Sequence, residues 1–389
     1  MPPPPATPPE DKTESEAGDW VVEVWSDSED ESPPVPTARA LRQERRWGVL
    51  DAAMHVSVKA AKRLYGQQAE ESIDAEMQQL LDNDTWTPRH PHSLTTEERA
   101  GVIRSHMFIK EKVDADTGVL ERIKSRLVAG GNQQDRSLYD DLSSPTPATS
   151  FVMAVMALAA HERRKVMTVD IKGAFLNVNL SQTGVKLLMK LDREMSKVLV
   201  RLFPSMAKYM DDKGEITVLL NKAIYGIVEA ALLWYRDVRA ALEGHGYVVN
   251  PADVYVFNYV DACGRQCTAL VHVDDLLITA SSDETLDKVL RMLKYHYGEV
   301  TVMRGDRHEY LGAVWDFIQE GEVNVSMDRY VDTLLLESGV EGTATTPAKD
   351  ELFEKVGEDG GQVDPPTREW FHSLVARLLY LAKILRREC

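Results

Sequence analysis

The sequence predicts an α+β fold, with antiparallel strand hairpins packed on amphipathic helices. Three observations carry that reading. Residues 268–280 form a β-branched and aliphatic run, the composition of a buried strand pair, interrupted by two adjacent aspartates. Residues 102–130 read as a two-stranded hairpin around a turn at Asp114-Ala-Asp-Thr-Gly118. Between such runs lie segments of helical period, the plainest over 69–82, where Ile73, Met77, Leu80 and Leu81 share one face. At 389 residues and 43% hydrophobic content, the chain is long enough for two or three lobes around a sizeable core.

The elements follow in order. Residues 1–36 are rich in Pro and Ser and hold ten acids against Lys12, a net charge of −9. Such a segment buries too little apolar surface to fold and reads as a disordered acidic tail. Residues 39–65 suggest a loosely packed helix, and the 69–82 helix ends at Asn83-Asp-Thr-Trp86. In the second arm of the hairpin Arg122, Lys124 and Arg126 alternate, so all three face one side of the strand. Gly130-Gly131 closes it, and a helix capped near Thr149 or Ser150 runs through 151–160. A strand with Asp170 comes next, then Gly173-Ala-Phe-Leu-Asn177; residues 181–220 show no clear pattern.

A helix over 229–243 ends at Gly244, and strands over 254–260 and 268–273 flank a turn at Gly264-Arg-Gln266. The aspartate pair turns the chain into a strand over 276–280, and Ser281 with Glu284 makes a capping box for a helix to His296. After Tyr310-Leu-Gly312 come a strand over 323–327 and helices over 328–338 and 367–387. The last helix stops at Cys389 without a terminator, as a fragment of a longer chain would.

Composition narrows the function classes. No apolar stretch is long enough to span a bilayer and no signal peptide is legible, so an intracellular protein, cytoplasmic or nuclear, is expected. Cys263, Cys267 and Cys389 make no disulfide framework, and a metal site at Cys263 and Cys267 would lack partner ligands. The overall charge of −17 leaves −8 once the tail is set aside, which counts against strong affinity for a polyanion.

The chemistry starts from Asp274 and Asp275. Two charges inside an apolar run are costly if buried without partners, so a tight turn that exposes them or a divalent cation must compensate. A third carboxylate in a similar setting, Asp170 in Val166-Met-Thr-Val-Asp-Ile171, favours the cation. Carboxylates converging from strand ends are a usual cage for two magnesium ions, so the chain is expected to handle phosphates. The basic stripe at Lys124 and Arg126 reads either as a solvated sheet face or as a triphosphate clamp.

Five segments, in order, resemble the reverse transcriptase of copia-type LTR retrotransposons. They are Arg122-Ile-Lys-Ser-Arg-Leu-Val-Ala129, Val169-Asp-Ile-Lys-Gly-Ala-Phe-Leu-Asn177, Ile224-Tyr-Gly226 with Trp234-Tyr235, His272-Val-Asp-Asp-Leu276, and Tyr310-Leu-Gly312. A sixth, Ser373-Leu-Val-Ala-Arg-Leu-Leu-Tyr-Leu-Ala382, is similar to the segment preceding ribonuclease H in those polyproteins. The resemblance implies a right-hand polymerase of fingers, palm and thumb, its domain over 67–345. A tail and linker over 1–66 would precede it, and a linker and helix over 346–389 would follow. It implies RNA-directed DNA polymerisation with two Mg2+ ions, or Mn2+, at Asp170, Asp274 and Asp275. The first two would bridge the ions and Asp275 would stand behind them. The partners would be dNTPs and an RNA or DNA template with its primer, with no membrane. Lys124 and Arg126 would grip the triphosphate, and Phe175 would exclude a 2′-hydroxyl.

There are departures from the family pattern. Val228, Glu229 and Ala231 stand where it has lysine, glutamine and proline, and a carboxylate at Glu229 beside the nucleotide would repel the triphosphate. His272 replaces a tyrosine, and Arg304, Arg307 and His308 substitute for a lysine before Tyr310. Integrase and ribonuclease H parts are expected to be lacking. These features suggest a truncated, partly divergent copy, and they keep open a catalytically inactive remnant that at most binds nucleic acid.

Overall fold

The computed structural model describes residues 58–113, 120–138, 146–340, 342–346 and 363–385. All of them belong to one compact unit. The acidic tail, the tip of the 102–130 hairpin and Cys389 lie outside the described residues.

In chain order the first strands are β1 (Trp86–Arg89), β2 (Ile103–Val113), β3 (Leu120–Ala129), β4 (Lys165–Ile171), β5 (Leu188–Leu191) and β6 (Ile216–Leu220). Then come β7 (Val248–Asn250), β8 (Asp253–Val260), β9 (Gln266–His272) and β10 (Asp275–Ala280). The last are β11 (Val300–Arg304), β12 (Arg307–Tyr310), β13 (Ala313–Asp316) and β14 (Asn324–Ser326). They form three sheets, ordered β1-β6-β5-β2-β3, β11-β4-β10-β9-β8-β7 and β12-β13-β14. The helices are α1 (Val58–Tyr65), α2 (Gln67–Asp82), α3 (Thr96–Ala100), α4 (Thr149–His161) and α5 (Arg193–Leu202). They continue with α6 (Ala230–Gly244), α7 (Asp283–Tyr297), α8 (Asp328–Ser338) and α9 (Pro365–Ile384). The mixed α+β class is as the sequence predicts, and among the described residues no helix is long and apolar enough to cross a membrane.

The six-stranded sheet is buried on both faces, which is why its central strands read as near-continuous apolar runs. Met167, Val169, Ile171, Leu276 and Ile278 point into a large core shared with α2, α6 and α7. Val166, Leu270 and Leu277 point the other way, onto Val155 and Met156 of α4, Trp315 of β13 and Ile384 of α9. Residues 58–65, short of the expected domain boundary at 67, are helical and put Val58 and Ala61 into the large core.

Three details depart from the sequence reading. The cap of α7 is Ser282, which accepts from the Thr285 N–H, one residue beyond the expected Ser281. Residues 181–220, which show no pattern, hold β5, α5 and β6. Their strands are only four or five residues long, too short for a period to declare itself. The aspartates also do not turn as a pair: the turn is Val273-Asp274, and Asp275 already belongs to β10, paired with His272. At the far end of β9, Cys263 is exposed in a turn organised by Asp261, whose Oδ1 accepts from the N–H groups of Cys263 and Arg265, both at 2.9 Å.

Candidate active site

The site begins with strand register. Asp170 of β4 lies directly opposite Asp275 of β10, so both carboxylates leave the same face of the sheet. Asp274 stands on the turn before β10, and its carbonyl accepts from the Ile171 N–H at 3.0 Å, tying the turn to the end of β4. The turn is unusual in its first residue. Val273 has φ +53, a left-handed conformation that β-branched side chains avoid. Its carbonyl accepts a short hydrogen bond from Nε1 of the buried Trp234, so the surrounding core holds the strained residue in place.

The three carboxylates lie within electrostatic reach of one another. Burial and then the charge of Asp274 raise Asp170 above the ordinary carboxylate value. Burial, Asp274 and Asp170 push Asp275 up to about 6. On β3, residues 123, 125, 127 and 129 are buried while Arg122 and Lys124 are exposed and Arg126 half-buried, the alternation expected of a one-faced strand. Lys124 feels the charges of Asp170 and Asp274, and both Lys124 and Arg126 act back on Asp170. Lys124 and Arg126 therefore lie within electrostatic reach of the aspartates.

Between them stands Tyr225, which the sequence reading treats only as part of a motif. Its hydroxyl donates to Asp274 Oδ2 at 3.2 Å. The Arg126 guanidinium covers its ring at 3.7 Å from the centroid, and Phe175 meets it edge-on at 4.8 Å. Burial, then Asp274, push its phenol well above the ordinary value, so it stays protonated and can donate. Its backbone is fixed as closely: the Ala129 N–H donates to the Tyr225 carbonyl at 2.8 Å. At Gly226, φ is +93 and a Cβ would sit 2.1 Å from the Ala129 oxygen, so no other residue fits this junction.

Phe175 lies in a short 3-10 turn, Ala174–Asn177, and is 7% exposed. Glu229 departs from expectation. It is 3% exposed, and its carboxylate accepts from Gln134 Nε2 at 2.9 Å, while Gln134 Oε1 accepts from the Val228 N–H at 2.9 Å. The expected contact between Glu229 and a nucleotide does not fit this arrangement, because the carboxylate is turned inward onto a neutral amide. Of the cations expected near Tyr310, His308 is buried with Nε2 beside the Gly305 carbonyl, and Arg304 pairs with Asp287 at 2.7 Å. Arg307 lines a cleft of about 620 Å³ together with Asp170, Asp275, Glu309, Arg329 and Tyr330.

Among the described residues no three acidic, histidine or cysteine side chains form a ready-made metal cage. Asp275 shares a sheet face with Asp170, while Asp274 on the adjoining turn accepts from the Tyr225 hydroxyl. The donor set still suits a hard divalent cation. Magnesium is commonly held by one or two carboxylates plus substrate phosphates, and mutually repelling carboxylates are relieved by a cation.

Residues 96–349 match the reverse transcriptase (RNA-dependent DNA polymerase) family, and the chain belongs to that family. It is similar to the retrovirus-related Pol polyprotein from transposon RE2 of Arabidopsis thaliana, 26% identical over 317 residues, which cover 80% of this chain and 20% of that protein. The corresponding polyprotein from transposon RE1 of the same plant is 26% identical over 334 residues, 83% of this chain and 20% of its own length. That from transposon TNT 1-94 of Nicotiana tabacum is 23% identical over 188 residues, 48% and 13%. The chain thus spans about a fifth of the length of the first two relatives. The copia-type resemblance read from the motifs is borne out.

Proposed function

We propose that this chain carries out RNA-directed DNA polymerisation, extending a primer on an RNA or DNA template with dNTPs by two-metal nucleotidyl transfer. The observation that carries the reading is Asp170 opposite Asp275, with Asp274 on the adjoining turn and Lys124 and Arg126 within electrostatic reach of them. The names of the relatives, Pol polyproteins of transposons, support it. In this reading the β2–β3 hairpin serves as fingers and the six-stranded sheet as palm, within a polymerase region over 67–345. Residues 346–389 would be a linker and helix beyond it.

Asp170 and Asp274 would hold two Mg2+ ions, or Mn2+, with Asp275 beside them. When bound, the ions activate the primer 3′-hydroxyl for in-line attack on an α-phosphate and neutralise charge on the departing pyrophosphate. Lys124 and Arg126 bind the triphosphate oxygens. Phe175, packed against Tyr225, limits the space beside the sugar and disfavours a 2′-hydroxyl.

Primer extension on an RNA template with magnesium tests the proposal. Extension by the wild-type chain, abolished in Asp274→Asn with little change in melting temperature, is the expected result. Removing one of several mutually repelling carboxylates relieves like-charge repulsion in the free protein. A folded wild-type chain that extends no primer would instead favour the inactive remnant. Two of the grounds for the remnant reading are the negative charge and Glu229, and the inward Gln134 contact of Glu229 counts against the second.

A further inference from the structure

We infer that Tyr225 is a positioning residue that orients the Asp274 carboxylate through its hydroxyl and the Arg126 guanidinium through its ring. The inference rests on the polymerase reading above and adds to it a residue outside the expected site. Three contacts converge on this one side chain: hydroxyl to Asp274 Oδ2 at 3.2 Å, ring under Arg126 at 3.7 Å, and ring edge to Phe175 at 4.8 Å. Asp274 sits on a two-residue turn where it and its neighbours are only half-buried, and a side chain in such a place has several rotamers open to it. A phenol that donates to one carboxylate oxygen selects among them and leaves the other oxygen free for a cation. This is the role that partners just outside a metal site play when they fix the orientation of its ligands.

The ring acts on a second group. An arginine stacked on an aromatic face gives up conformational freedom before it meets its anion, so less is lost when it binds. Tyr225 itself has little freedom. Its carbonyl is held by the Ala129 N–H, from the same strand that carries Arg126, and Gly226 brings the two backbones into direct contact. The strand bearing the cations and the turn bearing the carboxylate are thus registered through one tyrosine.

The hydroxyl and the ring are separable by substitution, and the test uses the full chain. Mn2+ alone is titrated against it and followed by the ion's own paramagnetic signal, with steady-state primer extension measured in parallel. Tyr225→Phe removes the hydroxyl and keeps the stacked ring. It is expected to weaken Mn2+ binding about tenfold and to lower kcat by a similar factor, with KM for dNTP within about twofold of wild type. Arg126→Leu gives the opposite separation: KM rises while Mn2+ affinity is retained. A purely structural role would lower the melting temperature of Tyr225→Phe and move kcat and KM together, and that result overturns the inference. So does a Tyr225→Phe chain whose Mn2+ binding equals wild type, or a wild-type chain that takes up no Mn2+. Should the wild-type chain bind Mn2+ but extend no primer, the polymerase reading fails. The Mn2+ titration then still decides the role of Tyr225: weaker binding in Tyr225→Phe supports it, and unchanged binding ends it.

Discussion

At the scale of single residues, partners matter more than identities. Glu229 looks damaging in the sequence because a carboxylate replaces a neutral amide beside a triphosphate. In the fold it is buried, and it accepts from Gln134, a residue 95 positions earlier in the chain. Glu229→Gln retains a carbonyl oxygen for that contact, so KM for dNTP is expected to stay within about twofold of wild type. A fivefold or larger drop in KM, on the order of 1 kcal/mol, would mean that the side chain faces the nucleotide after all. Glu229→Ala deletes a buried hydrogen bond to a charged group and is expected to cost about 1.5–3 kcal/mol in denaturant unfolding.

The same comparison explains what the sequence made legible in the site. Asp170, Asp274 and Asp275 stand out because charge inside an apolar run is expensive and therefore visible. Tyr225 does not, since an aromatic next to a glycine is ordinary in any core, and its value lies in contacts to Arg126 and Asp274, 99 and 49 positions away. Gln134 hides for the same reason: one polar residue among Gly, Asn and Asp reads as loop.

At the scale of elements, β3 is joined to α2 as well as to its hairpin partner. Glu76 on α2 accepts from the Leu127 N–H at 2.9 Å, so one carboxylate binds helix to strand. Burial raises its pKa above the ordinary 4.5, against the lowering effect of that hydrogen bond and of Arg126 and Lys124. A raised folded-state pKa means that folding favours the protonated form. The stability contributed by Glu76 is full below about pH 4.5 and is lost as pH rises through the folded value. Glu76→Gln keeps an acceptor for Leu127 without the charge. It is expected to raise the melting temperature at pH 7, with the gain vanishing below pH 4.5; an equal gain at both pH values would show that charge is not the cause.

Element boundaries were legible where period and cap agree, as for α8, whose limits at Asp328 and Ser338 match the reading. They were illegible where strands are short or where tertiary contacts decide. β11 pairs with β4 and β12 with β13, yet residues 300–313 alternate only weakly and carry charged or polar residues on both arms. The Val273-Asp274 turn is the sharper case, because nothing local recommends valine at positive φ, and a buried indole 39 positions away stabilises it.

At the scale of the whole molecule, the six-stranded sheet has a core on each side, and Asp170 and Asp275 emerge on the side of the smaller one. That core gathers α4, the three-stranded sheet and Ile384 around Trp315, which is 2% exposed and donates from Nε1 to the Tyr310 carbonyl at 3.1 Å. The cleft beside Asp170 and Asp275 has the three-stranded sheet as its opposite wall, so its shape depends on this packing. Trp315→Ala is expected to cost about 3–5 kcal/mol in equilibrium unfolding. A loss under about 1 kcal/mol would mean that the small sheet is not anchored there.

The β8–β9 hairpin offers a practical handle of another kind. Cys263 is exposed at its tip, whereas Cys267 is 1% exposed and burial pushes its thiol above the ordinary range, with the Tyr247 hydroxyl 3.1 Å from its sulfur. Thiolate character and access govern alkylation. With Cys389 replaced by serine, a maleimide dye will therefore label this molecule at one point. That point lies at the end of β9 away from the aspartates, where a fluorophore can test for the proposed nucleic-acid binding without touching the aspartates.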